Sequence, residues 1–297
     1  MNIDDTLSRL EHQLDIDRIR AWLAAQDAFT TDWAVTYLAE SLFFAEVVQD
    51  GLPHLEPGSK VLEIGGGLGY VSRTLADLGM DVTCFEPASR GFSRMTELSA
   101  LIDEAWQPIA PKLHWRAEPF TASNVGDERF DYVFATNVLQ HVPDPADLVI
   151  DASGVLARHG TSRFICPNYT IPFDPHFNIP TFWNKSLAYR IFRRRIIDYP
   201  LQEAPCDFWD DLSFPRARPL RRTVSECGVS TELSRAASLK YLDRLSEPRF
   251  LERKGPVFRL LAGPLKRPLH RALVSLPLTL LPIVDLRTRV KITRKAE

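Results

Sequence analysis

The stretch VLEIGGGLGY at residues 61–70 sets an apolar strand directly against a run of glycines. Val61, Leu62 and Ile64 flank one acid, Glu63, and Gly65, Gly66, Gly67 and Gly69 follow at once. A backbone without Cβ atoms takes φ > 0 freely and lets a ligand come close. A strand, a bare turn and a helix in that order constrain the chain to an α/β sheet with a ligand at its strand ends.

The surrounding pattern agrees. Strands are expected at 60–64, 81–86, 113–116, 130–136 and 161–166, with helices at about 69–78, 89–104 and 145–157 between them. Strands alternating with helices require a mostly parallel sheet with right-handed crossovers. A helix is expected over 4–25, where Leu7, Leu10, Leu14 and Ile19 fall near helical spacing, and another, apolar on most faces, over 32–50. Beyond Pro167 the rhythm breaks into segments rich in proline and aromatic residues. It returns as a helix ending at Gly228, a strand at 229–234 and a last strand at 286–293, with an irregular, proline-punctuated segment at about 245–283.

Composition narrows the class of protein. Of 297 residues, 45% are hydrophobic and 25% charged, ordinary values for a chain with a large core. The net charge of −2 gives no general case for nucleic acid. Its distribution is uneven, acidic over residues 1–60 and basic over 249–297. That asymmetry fits either an electrostatic partner for the basic end or mutual neutralisation of the two ends. Cys84, Cys166, Cys206 and Cys227 form no CxxC pair, so neither a zinc site nor a disulfide framework is expected, and no metal is assigned. The acidic N-terminal stretch lacks an apolar signal core, and no run of about 18 apolar residues exists. A cytoplasmic chain is expected.

A dinucleotide fingerprint would read G-x-G-x-x-G, but Tyr70 stands at the third glycine's place, and no Gly-Lys-Ser/Thr follows for a Walker A loop. What remains is E-x-G-x-G-x-G at Glu63, Gly65, Gly67 and Gly69. Glu86 ends the next strand, placed to accept hydrogen bonds from both hydroxyls of a ribose. The stretch ERFDYVFATNVLQHVPDP at 128–145 supplies a third signal. Together these segments resemble motif I and the fourth-strand region of the class I S-adenosylmethionine (SAM)-dependent methyltransferases, especially the small-molecule, quinone-biosynthesis-like group. The resemblance covers about residues 58–168, with returns at 219–235 and 286–294.

The resemblance implies a Rossmann-like fold with a mostly parallel seven-stranded sheet, helices on both faces, an N-terminal helical cap and substrate-side insertions. It implies SAM as cofactor, held by Glu63, Gly65, Gly66, Gly67, Gly69 and Glu86, with Thr136 and Asn137 beside the methionine half. Glu118, in WRAEPF, takes the place that faces the adenine amino group in the family, with the Ala117 backbone as its alternative. The corresponding organisation is a cap at 1–57, a cofactor-binding core at 58–168, an insertion at 169–218, a core return at 219–235, a basic apolar insertion at 236–283 and a last strand and tail at 284–297. An Asn/Asp-Pro-Pro-Tyr/Phe loop after the fourth strand is missing, so adenine N-methylation is not expected.

Methyl transfer needs a general base only where the acceptor must lose a proton. His141 and His176 are the candidates, each with a plain alternative: a loop-orienting hydrogen bond for His141, a packed connector for His176. Tyr169, Asp174, His176 and Phe177, in the stiff NYTIPFDPHFNIP stretch, are expected to wall the acceptor site. Residues 183–196 and 258–284 mix bases with apolar side chains. They fit an anionic membrane surface at the inner face, or a lid with a solvated basic side. The expected activity is O- or C-methylation of a small-molecule, glycan or lipid-linked acceptor. A non-catalytic SAM-binding regulator and a nicotinamide oxidoreductase are the competing readings.

Overall fold

The computed structural model describes residues 10, 14–49, 52, 55–87, 93–106, 113–199, 206–246, 251 and 256–289. Parts of the expected first helix (4–9 and 11–13), of the helix at 89–104 and of the last strand (290–293) lie outside the described residues.

Two helices come first, α1 (Ile16–Ala24) and α2 (Ala28–Gln49). The alternation follows as β1 (Lys60–Ile64), α3 (Tyr70–Asp77), β2 (Asp81–Phe85), α4 (Ser93–Ala105), β3 (Leu113–Arg116), β4 (Phe130–Thr136), α5 (Pro145–Gly154) and β5 (Leu156–Pro167). Asp144 caps α5, accepting from the Ala146 and Asp147 N–H groups at 2.8 and 3.1 Å, and Pro145 occupies the first turn, where its missing donor costs nothing.

A short hairpin, β6 (Phe173–Asp174) and β7 (Ile179–Pro180), leads into α6 (Lys185–Ile197) and α7 (Asp207–Asp210). Then come α8 (Ala217–Glu226), β8 (Ser230–Leu233), α9 (Ala236–Asp243), α10 (Pro256–Ser275) and β9 (Ile283–Arg289). The seven-stranded sheet has the order β3-β2-β1-β4-β5-β9-β8. Its first five strands are parallel, and β9 runs antiparallel to both β5 and β8. The expected α/β fold with a mostly parallel seven-stranded sheet is the observed one.

Strand alternation sends side chains to two cores. Val61, Val82, Tyr132 and Phe134 pack under α1 to α4, while Leu62, Phe85, Val133 and Phe164 pack under α5 and α8. Burial on both faces is why these strands read as near-continuous apolar runs. The insertion carries its own small core of Phe177, Ile179, Ala188, Ile196, Phe208, Trp209 and Leu212.

One expectation fails. The segment at 245–283 is not irregular: it holds the 20-residue α10, with Pro264 and Pro268 inside it. Both prolines are exposed, on a surface helix where water can reach the carbonyls they leave without a donor. Leu273, buried at 8% exposure, anchors the helix against Leu242, Leu245 and Leu281.

An ion pair ties the layers together. The Arg163 guanidinium on β5 donates to both Asp285 oxygens on β9 at 2.9 Å and to the Val47 carbonyl of α2. The Ala237 N–H of α9 donates to Asp285 Oδ2 at 3.1 Å. Both side chains are 2% exposed or less. Removing one partner strands a buried charge, so Asp285→Ala is expected to cost about 3–5 kcal/mol in urea unfolding. A loss below about 1 kcal/mol would contradict this assignment.

Candidate functional site

The sheet order reverses between β1 and β4, so the loops leaving their C-terminal ends part and open a crevice. Gly65, Gly66 and Gly67 leave β1 there, and Thr136 and Asn137 leave β4. All five line one cavity of about 1060 Å³. That exceeds what one drug-sized ligand usually takes, about 300–1,000 Å³.

Contacts from beneath fix the turn. The Gly65 N–H donates to the Phe85 carbonyl at 2.7 Å. A Cβ on Gly66 would lie 2.2 Å from Cys84 Sγ, so the thiol fills the place a side chain would need. Gly67 is the opposite case. It sits at φ +54°, and nothing lies within 4 Å of where its Cβ would be, so its bare side faces open space. Gly69 caps α3 in left-handed backbone and does not line the cavity. Gly69 supplies no side-chain cap to α3, and the Ser72 N–H in its first turn is met by the Glu63 carboxylate.

Two carboxylates bracket the turn. Glu86 lines the cavity, and its Oε2 accepts from the Gly67 N–H at 2.7 Å. Burial raises its pKa, and that one hydrogen bond offsets the rise only in part. Glu63 is 1% exposed and accepts from the Ser72 hydroxyl of α3. Burial pushes its carboxyl up to about 8 against that hydrogen bond, and the nearby Glu86 charge adds to the shift. Glu63 thus anchors the turn to α3.

Asn137 takes left-handed backbone at φ +57°, a conformation its short amide side chain tolerates. Its N–H donates to the Ile165 carbonyl at 2.8 Å, and its carbonyl accepts from the Gln140 side chain at 3.0 Å. The insertion latches onto this loop. The Ser213 N–H donates to the Gln140 carbonyl at 2.8 Å, and its hydroxyl donates to the Leu139 carbonyl at 3.1 Å.

His141 and His176 both line the cavity, with ring centroids 5.7 Å apart and Phe208 packed against each at 4.9 and 5.2 Å. Their surroundings differ. Burial lowers the His141 pKa to about 3, and the neighbouring His176 lowers it further than Asp174 restores. His176 instead has a carboxylate behind it: its Nδ1 lies 3.5 Å from Asp174 Oδ2. Asp174 also accepts from the Tyr169 hydroxyl and the Phe177 N–H, each at 2.7 Å. Burial alone would raise the Asp174 pKa, but His176 and these two donors outweigh it and hold the carboxyl below the usual range.

Other residues expected at the site lie elsewhere. Tyr169, Asp174 and Phe177 do not line the cavity; at 0–2% exposure they are the frame behind His176. Tyr169 stacks on Phe214 at 4.3 Å, and Phe177 belongs to the insertion's core. Glu118 is 48% exposed, points toward Arg116 at 3.9 Å and stands outside the cavity, where Pro119 and Phe120 form the wall instead.

The far half of the cavity is built by α2, α9 and α10, which sequence reasoning did not bring to the site. One signal was present. Asp32, Thr36 and Glu40 recur every fourth residue along a helix rich in apolar residues, a polar strip facing the cavity. Arg244 joins that strip, donating to Glu40 at 2.7 Å while it lies over the Phe43 ring at 4.9 Å.

A family model described as a methyltransferase domain matches residues 38–164. Across nearly its whole length the chain is similar to an uncharacterized protein of Mycobacterium tuberculosis: 31% identical over 293 residues, 96% of this chain and 98% of that one. A ubiquinone biosynthesis O-methyltransferase of Albidiferax ferrireducens is 37% identical over 109 residues, 36% of this chain and 41% of that one. Among solved structures, a cyclopropane-fatty-acyl-phospholipid synthase-like protein from Lactobacillus casei aligns with a TM-score of 0.48 at 15% identity, over 84% of this chain and 90% of that one.

A carboxyl whose folded pKa of about 8 exceeds its ordinary value of 4.5 binds its proton more tightly in the folded chain. The contribution of Glu63 to stability therefore falls as pH rises from about 4.5 to 8. Glu63→Gln removes that titration. Urea unfolding without ligand should show the variant gaining on the parent steadily from pH 5 to pH 8; a pH-independent gap would refute the assignment.

Proposed function

Because the chain belongs to the class I SAM-dependent methyltransferase superfamily, we propose that its cavity receives an apolar acceptor whose hydroxyl is methylated beside His176. The observation that carries this reading is the shared cavity. The glycine turn with Glu86 lies at one part of it, and His176, backed by Asp174, lies at another.

The residues present suit the cofactor. Gly67 offers bare backbone to open space, and Glu86 presents a carboxylate beside it, suited to the hydroxyls of a ribose. Thr136 and Asn137 close the β4 side. SAM, when bound, supplies an electrophilic methyl on a sulfonium. The chain's part is to hold and align the reactants and to manage a proton.

His176 is the group suited to the proton. Its Nδ1 faces Asp174, which leaves Nε2 to take the acceptor's hydroxyl proton. The buried carboxylate of Asp174 then stabilises the imidazolium, and its bonds from Tyr169 and Phe177 keep it in place. His141, with a pKa near 3, stays neutral at pH 7 and holds a proton too weakly to share this role. Its part is to shape the wall between the β4 loop and His176. The partial match to a ubiquinone biosynthesis O-methyltransferase agrees with oxygen as the methylated atom. The apolar residues of α2, α9 and α10 along the cavity suit a small or lipid-linked acceptor with an apolar body.

Calorimetry tests the cofactor half. Glu86→Ala should weaken S-adenosylhomocysteine binding by about ten- to a hundredfold, the worth of hydrogen bonds to a charged group. Unchanged affinity, or tighter binding of NAD by the parent, would overturn the reading. For the chemistry, methyl transfer from labelled SAM to hydroxylated aromatic and prenylated acceptors should slow by about 10²–10⁴-fold in His176→Ala, with S-adenosylhomocysteine affinity intact. Equal loss in His141→Ala and none in His176→Ala would reverse the two assignments.

A further inference from the structure

We propose that the β6–β7 hairpin and α6 form a docking surface for an anionic phospholipid bilayer at the mouth of the acceptor cavity. Six large apolar side chains stand exposed in this short stretch: Ile171, Phe173, Phe182, Trp183, Leu187 and Ile191, from 37% to 56%. Ile171 and Phe173 also line the cavity, so the exposed apolar surface continues inward from the rim. Single exposed apolar residues are ordinary; a contiguous group marks an interaction surface.

The group is held outward by structure. The Trp183 indole N–H donates to the Thr170 carbonyl at 2.8 Å, and the Thr181 N–H donates to the Pro172 carbonyl at 2.9 Å, which binds the two arms together. Phe182 and Trp183 both sit at positive φ, +51° and +54°, backbone that bulky side chains rarely adopt. Ala188 and Ile196 turn inward to the insertion's core, which fixes the opposite side of α6 toward solvent.

Charge selects the occupant. Arg190, Arg193, Arg194 and Arg195 are exposed on the same helix, and among the described residues none of them is in an ion pair. Arg190 follows Leu187 by three residues and adjoins Ile191, so base and apolar side chain share one strip. Guanidinium groups at headgroup depth with Trp and aliphatic side chains below them match an anionic interface. An acidic protein would answer the arginines but leave the apolar rim of the cavity without purpose. A bilayer answers both, because it also delivers an apolar acceptor to the opening. No described helix is long and apolar enough to cross a membrane, so the contact is a surface one. The acceptor's route rests on the methyl-transfer reading; binding to lipid does not.

Co-sedimentation with phosphatidylcholine vesicles, with and without phosphatidylglycerol, tests this on the full chain. The parent should bind phosphatidylglycerol vesicles at low salt and lose about tenfold or more in high salt or on phosphatidylcholine alone. Trp183→Ala with Ile191→Ala, and separately Arg193→Glu with Arg194→Glu, should each cut binding about tenfold. S-adenosylhomocysteine affinity should stay at the parent value in both, which separates this inference from the cofactor reading. Binding indifferent to phosphatidylglycerol would overturn it. So would an apolar pair whose loss is silent while the arginine pair matters, since that is adsorption by charge alone.

Discussion

The buried pair of Arg163 and Asp285 joins β5 to β9 and, through the Val47 carbonyl and the Ala237 N–H, reaches α2 and α9. Two of these four elements are sheet and two are cavity wall. The pair therefore sits where the parallel core meets the antiparallel strand returned from the end of the chain. An apolar contact there would pack the layers without fixing their register. A bidentate guanidinium–carboxylate contact has one geometry, and the α2 and α9 walls inherit it.

The glycine-turn end of the cavity was legible because its signals are local. Gly65 and Gly66 are set by contacts with Phe85 and Cys84 at the end of the neighbouring strand, and Glu86 follows that strand directly. Strand alternation was legible for the same reason. The opposite end was not, because α2, α9 and α10 meet there through contacts far apart in sequence, such as Arg244 with Glu40. The proline rule misled at 264 and 268 because it describes helix interiors that need every donor, whereas α10 lies exposed at the surface. Glu118 matched a position in a pattern, yet nothing local holds its side chain inward, and Arg116 and solvent draw it out.

His141 and His176 show how environment divides two identical side chains. Both face the cavity and touch Phe208, and only His176 has a carboxylate behind it. Of the residues expected as acceptor contacts, Asp174 supplies that carboxylate, and Tyr169 and Phe177 support it. The stretch was read as a wall of the acceptor site; the depth of these three residues was not legible, because burial is settled by the packing of Phe208, Trp209 and Phe214 from a later part of the chain.

Ser213 gives the insertion a grip on the loop after β4, through Gln140 and Leu139. Two hydrogen bonds of 2.8 and 3.1 Å tie the insertion to that loop. The wall cannot swing aside without pulling on Asn137, whose carbonyl is held by the same Gln140. A load on the insertion is therefore carried through Gln140 to the β4 side of the crevice rather than absorbed within the insertion.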